Sequence, residues 1–344
     1  MSPSSIELIT ACRHIIDDNI KFNPANKLVI VYDEDCNLAK SITQGFIEAS
    51  HDLPNKETVL FTPESAPTLK QTLTKLNKQD AVILIQTTNF RISEYRIRLE
   101  CNNNGVYVLE FSHLYNVQPH QEQTYLNALT YDQPRYQQII NRAKPILESA
   151  TKIQIISKHG SIATYDSPCD KVYSNIGEIQ ETMGSFYPIG EFFTEALDIT
   201  KVNGTFEIYA FPSLEHKTTI PTDSFQVHIN DGCITSHNGP KEFEEIMTLL
   251  KTENDNQQVP IREMGFGLNK FISKSHPLGY VGSHERQNGY HVSLGLKHGV
   301  FRKKVPKTIN QRFHIDMFID VEKIIAFTPD GEKIIFEYGE YKTE

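Results

Sequence analysis

The feature that most constrains this chain is a regular alternation of short apolar runs with helix-like segments through its first 150 residues. Leu28–Tyr32 is a continuous apolar run, suited to a strand buried on both faces. Ile6–Ile20 before it and residues 37–50 after it carry apolar residues at helical spacing. Thr58–Phe61, Ala81–Ile85 and Gly105–Leu109 read as further strands, separated by helix-like stretches at Ala66–Leu76 and Arg91–Glu100. Helical stretches around Gln121–Leu129 and Arg135–Ser149 close the unit. This order predicts a doubly wound α/β domain over residues 1–150, with a parallel sheet covered by helices on both faces. The turn after Leu28–Tyr32 is Asp33-Glu-Asp-Cys-Asn37, with no Gly-x-Gly-x-x-Gly and no Walker pattern. The domain therefore reads as structural or substrate-shaping, and not as a nucleotide cofactor site.

From about Lys152 the texture changes. Lys152–Ser157, Thr205–Phe211, Ser224–Asn230, Gly232–Thr235, Tyr290–Leu294, Phe313–Ile319, Lys323–Phe327 and Lys333–Tyr338 are strand-like, with turn signals such as Asn203-Gly204 and Asp330-Gly331 between them. One helix, Pro240–Thr252, interrupts them. Residues 151–344 thus form a β-rich second domain.

Composition excludes several roles. A net charge of −9 argues against a general nucleic-acid binder, and the dense basic run Arg302–Lys307 reads as a solvated loop. No apolar run approaches the roughly 20 residues that span a membrane, and Met1–Asn19 does not read as a secretory signal. Five scattered cysteines without a Cys-x-x-Cys pair suggest reduced thiols and a cytoplasmic protein.

Candidate chemistry gathers near the C-terminus. His314 and Asp316 lie two apart in an alternating run, so both side chains leave the sheet on one face, a half-site for a divalent metal that is also common as plain structure. Five of the 13 histidines (His276, His284, His291, His298, His314) crowd into this region. His276, His284 and His298 read as surface residues, whereas His291 heads the strand-like His-Val-Ser-Leu-Gly295. Glu191 lies between a Pro/Gly turn and bulky apolar residues, and Glu263 among glycines and apolar residues. Carboxylates enter such surroundings when paired or metal-bound. Metal is one reading, and a buried ion pair with Arg262, Arg286 or Arg312 is the other. Glu191, Glu263, His291, His314 and Asp316 together exceed the three protein ligands of one catalytic zinc and suit two adjacent metals. Glu285 is a further ligand or general base, or else an exposed loop glutamate.

At these residues the chain resembles the aminopeptidase T-like two-metal aminopeptidases, typified by aminopeptidase T and its staphylococcal relative. The resemblance rests on Gly190-Glu-Phe-Phe-Thr194, Glu263 in Glu-Met-Gly-Phe-Gly-Leu-Asn269, His291 in His-Val-Ser-Leu-Gly295, and His314-Ile-Asp316, in the family's order. A looser match at Leu28–Glu34 and Ser157–Gly160 extends it to nearly the whole chain. It implies a homodimer, an enclosed cavity, two metals (zinc, cobalt or manganese) on those five residues with Glu263 bridging, and removal of N-terminal residues from short peptides. Glu195 stands where the family tends to Ala-Pro, and His298 where it often shows tyrosine. The shorter length is closer to a related branch, the 2,5-dihydroxypyridine dioxygenases, with one Fe(II) in a 2-His-1-carboxylate site that His291 or His276 could complete here. A non-catalytic binding or maturation protein on the same fold is the third reading.

Overall fold

A computed structural model describes residues 5–130, 132–177, 184–255, 257–301 and 312–344. The basic run Arg302–Lys307 lies outside them. By its contacts the chain divides into two compact units, 1–133 with 175–189, and 134–174 with 190–344. Most of the helix Gln133–Ser149 thus groups with the second unit, and the strand Gly184–Phe186 with the first.

The first unit is a parallel five-stranded sheet in the order Lys56–Leu60, Leu28–Tyr32, Ala81–Ile85, Tyr107–Phe111, Gly184–Phe186. Ala81–Ile85 is buried throughout and Leu28–Val31 likewise, as unbroken apolar runs require, while the edge strand Lys56–Leu60 alternates exposed and half-buried positions. Helix Asn37–Ala49 buries Leu38, Ile42, Phe46 and Ala49, one stripe at helical spacing, and the Cys36 sulfur accepts from the Ala39 N–H at its start. One expectation fails locally. The helix expected over Arg91–Glu100 instead runs Ile97–Asn103, because Ser93 takes φ of +46° and Ile92 pairs with Tyr95 in a tight turn.

The second unit is built on one large antiparallel sheet. Its order runs Gly331–Glu337, Val321–Thr328, Lys152–Ser157, Ile162–Tyr165, Val202–Pro212, His314–Ile319, Gly289–Gly295, Ile261–Gly267, Glu191–Thr194. The strands Ile162–Tyr165, Glu191–Thr194 and Ile261–Gly267 add to those expected. The last four strands in this order are almost wholly buried. Among the described residues no helix is long and apolar enough to cross a membrane.

Candidate metal centre

Four neighbouring strands set the site through their register. In an antiparallel ladder, directly paired residues project to the same face. Gly267 pairs with Glu191, Gly265 with Phe193 and His291, Ser293 with Asp316, and Gly295 with His314. Glu191, His291, Asp316 and His314 therefore share one face. Glu263 enters it beyond a bulge, where its N–H donates to Ser293 Oγ at 3.0 Å. Glu191, Glu263 and His291 offer ligand atoms within 4.8 Å of one another. His291 Nε2 lies 3.4 Å from Glu191 Oε1 and 3.9 Å from Glu263 Oε1, and His314 Nε2 lies 3.3 Å from Asp316 Oδ1.

The backbone is cleared for these groups. A Cβ on Gly265 would stand 2.0 Å from His291 Nε2, so a side chain there is incompatible with the imidazole's position. Gly190, just before Glu191, has φ of +118°, and a Cβ there would meet the Tyr136 ring at 2.9 Å.

The charge balance is lopsided. Glu191, Glu263, Glu285 and Asp316 face the guanidinium of Arg286 and the imidazoles of His291 and His314. Arg286 pairs with Glu191 and, at 2.8 Å, with Glu285 Oε1. Burial raises Glu191, against the pull of Arg286 and His291. Burial likewise lifts Glu285 to about 8, and this carboxyl is hydrogen-bonded to Asp316. Burial alone would raise Asp316 too, but His314 beside it holds it below the usual carboxylate range. Burial would lower both imidazoles, yet Glu263, Asp316 and Glu191 hold His291 at about 9, and Asp316 chiefly holds His314 at about 10. The carboxylates thus favour positive charge on the two imidazoles.

The donor set fits a divalent metal. Glu263 Oε2, both ring nitrogens of His291 and Asp316 Oδ1 are buried without a hydrogen-bond partner. Buried polar atoms left this way cost free energy, and all four are metal-ligand types. His314 Nδ1 lies 2.9 Å from the Leu296 carbonyl, which turns Nε2 toward Asp316 and the site, the usual arrangement behind a ligating histidine.

The structure thus places Glu191, Glu263, His291, His314 and Asp316 on one sheet face, with Glu191, Glu263 and His291 converging and His314 beside Asp316, while half-buried Glu285 reaches Arg286 from the end of the short helix Val281–His284. It also realises part of the ion-pair reading, through Arg286 and not through the other two arginines. Arg262 Nε donates to the Gly295 carbonyl, and Arg312 pairs with Glu253 at 2.8 Å. His284, expected at the surface, is fully buried, with Nε2 3.2 Å from the Tyr209 hydroxyl and its ring against Phe318. His276 is exposed beside Ser273 and Ser275. His298 is half-buried, its ring 6.0 Å from that of His314 and 4.7 Å from that of Phe193. Glu195 is buried and paired with Lys297 at 2.8 Å. Nothing local in the sequence marks Ser293 or the space-making Gly265, because their importance lies in register and not in local pattern.

No protein-family model and no curated protein sequence matches this chain. Solved structures do. The 2,5-dihydroxypyridine dioxygenase of Pseudomonas putida KT2440 aligns with a TM-score of 0.64 at 14% identity, over 99% of this chain and 98% of that one. Wild-type AmpT of Thermus thermophilus aligns with a TM-score of 0.65 at 11% identity, over 98% and 99%. This chain has the fold that those two proteins share, along its whole length, with a buried Glu191/Glu263/His291 group that could hold a metal.

Proposed function

We propose that this chain is a metal-dependent hydrolase that removes N-terminal residues from short peptides. Glu191, Glu263, His291, His314 and Asp316 would hold two divalent metals. The observation that carries this reading is the surplus of buried carboxylates on one face, three of them in the ligand set, where a single 2-His-1-carboxylate iron needs one. When bound, a metal pair supplies Lewis acidity, lowering the pKa of a water toward neutrality and polarising a carbonyl. Glu285 supplies the proton chemistry. Its carboxyl sits between Arg286 and Asp316 and, raised to about 8, can accept a proton and return it to a leaving amine near neutral pH. The buried strands Ile261–Gly267 and Gly289–Gly295 keep bulk water from Glu263 and His291.

The test is to strip the purified protein of metal, titrate it with zinc, cobalt and manganese, and assay aminoacyl anilides and dipeptides. Two metals per chain with turnover are expected, and a fully loaded site without turnover sinks the proposal. A second reading, a mononuclear Fe(II) oxygenase of a small ring compound, is favoured by one observation: His291, His314 and Asp316 by themselves make a 2-His-1-carboxylate set on this face. About one iron per chain on elemental analysis, with oxygen uptake, would select it. Assembly as a homodimer belongs to the same proposal and is read by light scattering.

A further inference from the structure

A cavity opens directly beside two of the site residues. The strands Val202–Pro212 and His314–Ile319 pair at Ile208/Ile319 and Ala210/Phe318, with a register slip between those pairs. Beyond them the strands part. Pro212 has no N–H to continue a ladder, and it pairs instead with Thr218. The gap forms a cavity of about 250 Å³ whose walls include Leu214, Ile246, Leu249 and Val281 together with His314 and Asp316. Among the described residues, the lining away from the imidazoles and Asp316 is uncharged and mostly apolar.

Size and polarity restrict what fits. An apolar cavity of about 150 Å³ holds a benzene ring, so this one takes a single branched or aromatic side chain and not a second residue. A side chain that carries its charge at the far end, away from Asp316, would leave water for the wall of Leu214, Ile246, Leu249 and Val281, which offers it no ionic partner, a costly transfer. Because His314 and Asp316 form part of the wall, the cavity adjoins that end of the site.

We propose that this cavity receives the N-terminal side chain of the peptide substrate and selects uncharged apolar side chains of leucine to phenylalanine size. The inference rests on the aminopeptidase reading. Leu249, half-buried on the helix Lys241–Glu253, and Leu214, 53% exposed at the rim, would set the selection.

The experiment uses the metal-loaded full chain and anilides of glycine, leucine, phenylalanine and lysine. Leucyl and phenylalanyl substrates should exceed glycyl and lysyl ones in kcat/KM by about tenfold or more, the usual worth of filling an apolar pocket. Leu249→Phe, which narrows the cavity, and Leu214→Lys, which charges its rim, should each reduce the leucyl-to-glycyl ratio by about tenfold, with metal content measured in every sample. Leu214 is exposed, so its variant keeps the test open if Leu249→Phe does not fold. A flat substrate profile, a preference for lysine, or variants that slow all substrates equally at full metal content would overturn the proposal. Should no substrate turn over, the aminopeptidase reading fails, and calorimetric binding of leucinamide against glycinamide decides the pocket. Leucinamide binding about tenfold tighter supports it, and equal binding overturns it.

Discussion

Asp316 and Asp320 lie four residues apart on one stretch of chain, and both are buried, at 6% and 7% exposure. Their surroundings are opposite. Asp320 is neutralised by two lysines, Lys158 at 3.1 Å and Lys274 at 2.6 Å, and Lys274 is further held by Ser224. Asp316 has a single imidazole beside it, with His314 Nε2 3.3 Å from its Oδ1, and looks across its face to three other carboxylates. A chain that can bury an aspartate with full compensation at one end of a strand leaves the other end short of positive charge. Such a deficit is expensive unless something outside the chain fills it. The contrast therefore separates a structural ion cluster from a cation site within one sheet.

The strongest way to break this comparison is at Arg286, the guanidinium that partly compensates the second cluster. Arg286→Met keeps an apolar stem but leaves Glu191 and Glu285 without their buried partner. In metal-free protein this should cost about 3–5 kcal/mol, as for other broken buried pairs, read from urea unfolding. Saturating zinc should restore at least half of the loss, because a bound cation supplies the missing charge. If zinc restores nothing, the cluster is an ion pair like that of Asp320, and the metal reading goes with it.

A smaller effect tests the space left for the ligands. Gly265→Ala places a Cβ where His291 Nε2 now stands, 2.0 Å away, on a strand fixed by ladders on both sides. His291 must rotate or the strand must shift. We expect about 1–3 kcal/mol of lost stability, typical of overpacking, and zinc affinity weaker by about tenfold or more, measured by competition with a chromogenic chelator. Unchanged affinity would mean that His291 does not bind the metal.

Gly265 also shows where the sequence was legible and where it was not. The parallel half could be read because Leu28–Tyr32 and Ala81–Ile85 are unbroken apolar runs, a pattern that buried parallel strands demand. The strands carrying Glu191 and Glu263 were hidden. Ile261–Gly267 contains an arginine, a glutamate and two glycines, a composition that local propensity assigns to a loop, and pairing on both sides overrides it. The residues of the site were identifiable one by one, as chemically apt groups in improbable settings. Their joint face was not, since it depends on pairings such as Gly267 with Glu191 across dozens of residues. Nothing local distinguishes Arg286 from Arg262 or Arg312, and only long-range packing selects it as the counter-ion. His284 shows the same limit: its neighbours gave no sign that Tyr209 and Phe318 would enclose it.

The smallest effect belongs to the compensated member of the pair. Burial alone would raise Asp320, but hydrogen bonds and charge from Lys274 and Lys158 hold its folded-state pKa below the ordinary aspartate value. A depressed carboxylate adds stability that is fully present above the unfolded-state pKa, about 4 for aspartate, and that is lost as pH falls through the lower folded-state value. Asp320→Asn should therefore cost about 1 kcal/mol near pH 7, a modest figure because both lysines are roughly half exposed and water can take them back. The gap from the unsubstituted protein should close progressively below about pH 4, which urea midpoints measured from pH 7 to pH 3 would follow. Zinc uptake by Asp320→Asn should match that of the unsubstituted protein, whereas Asp316→Asn should lose it. Equal loss of metal in both variants would show that the two aspartates serve one electrostatic cluster, and the division between structural and cation-binding ends of this strand would fall.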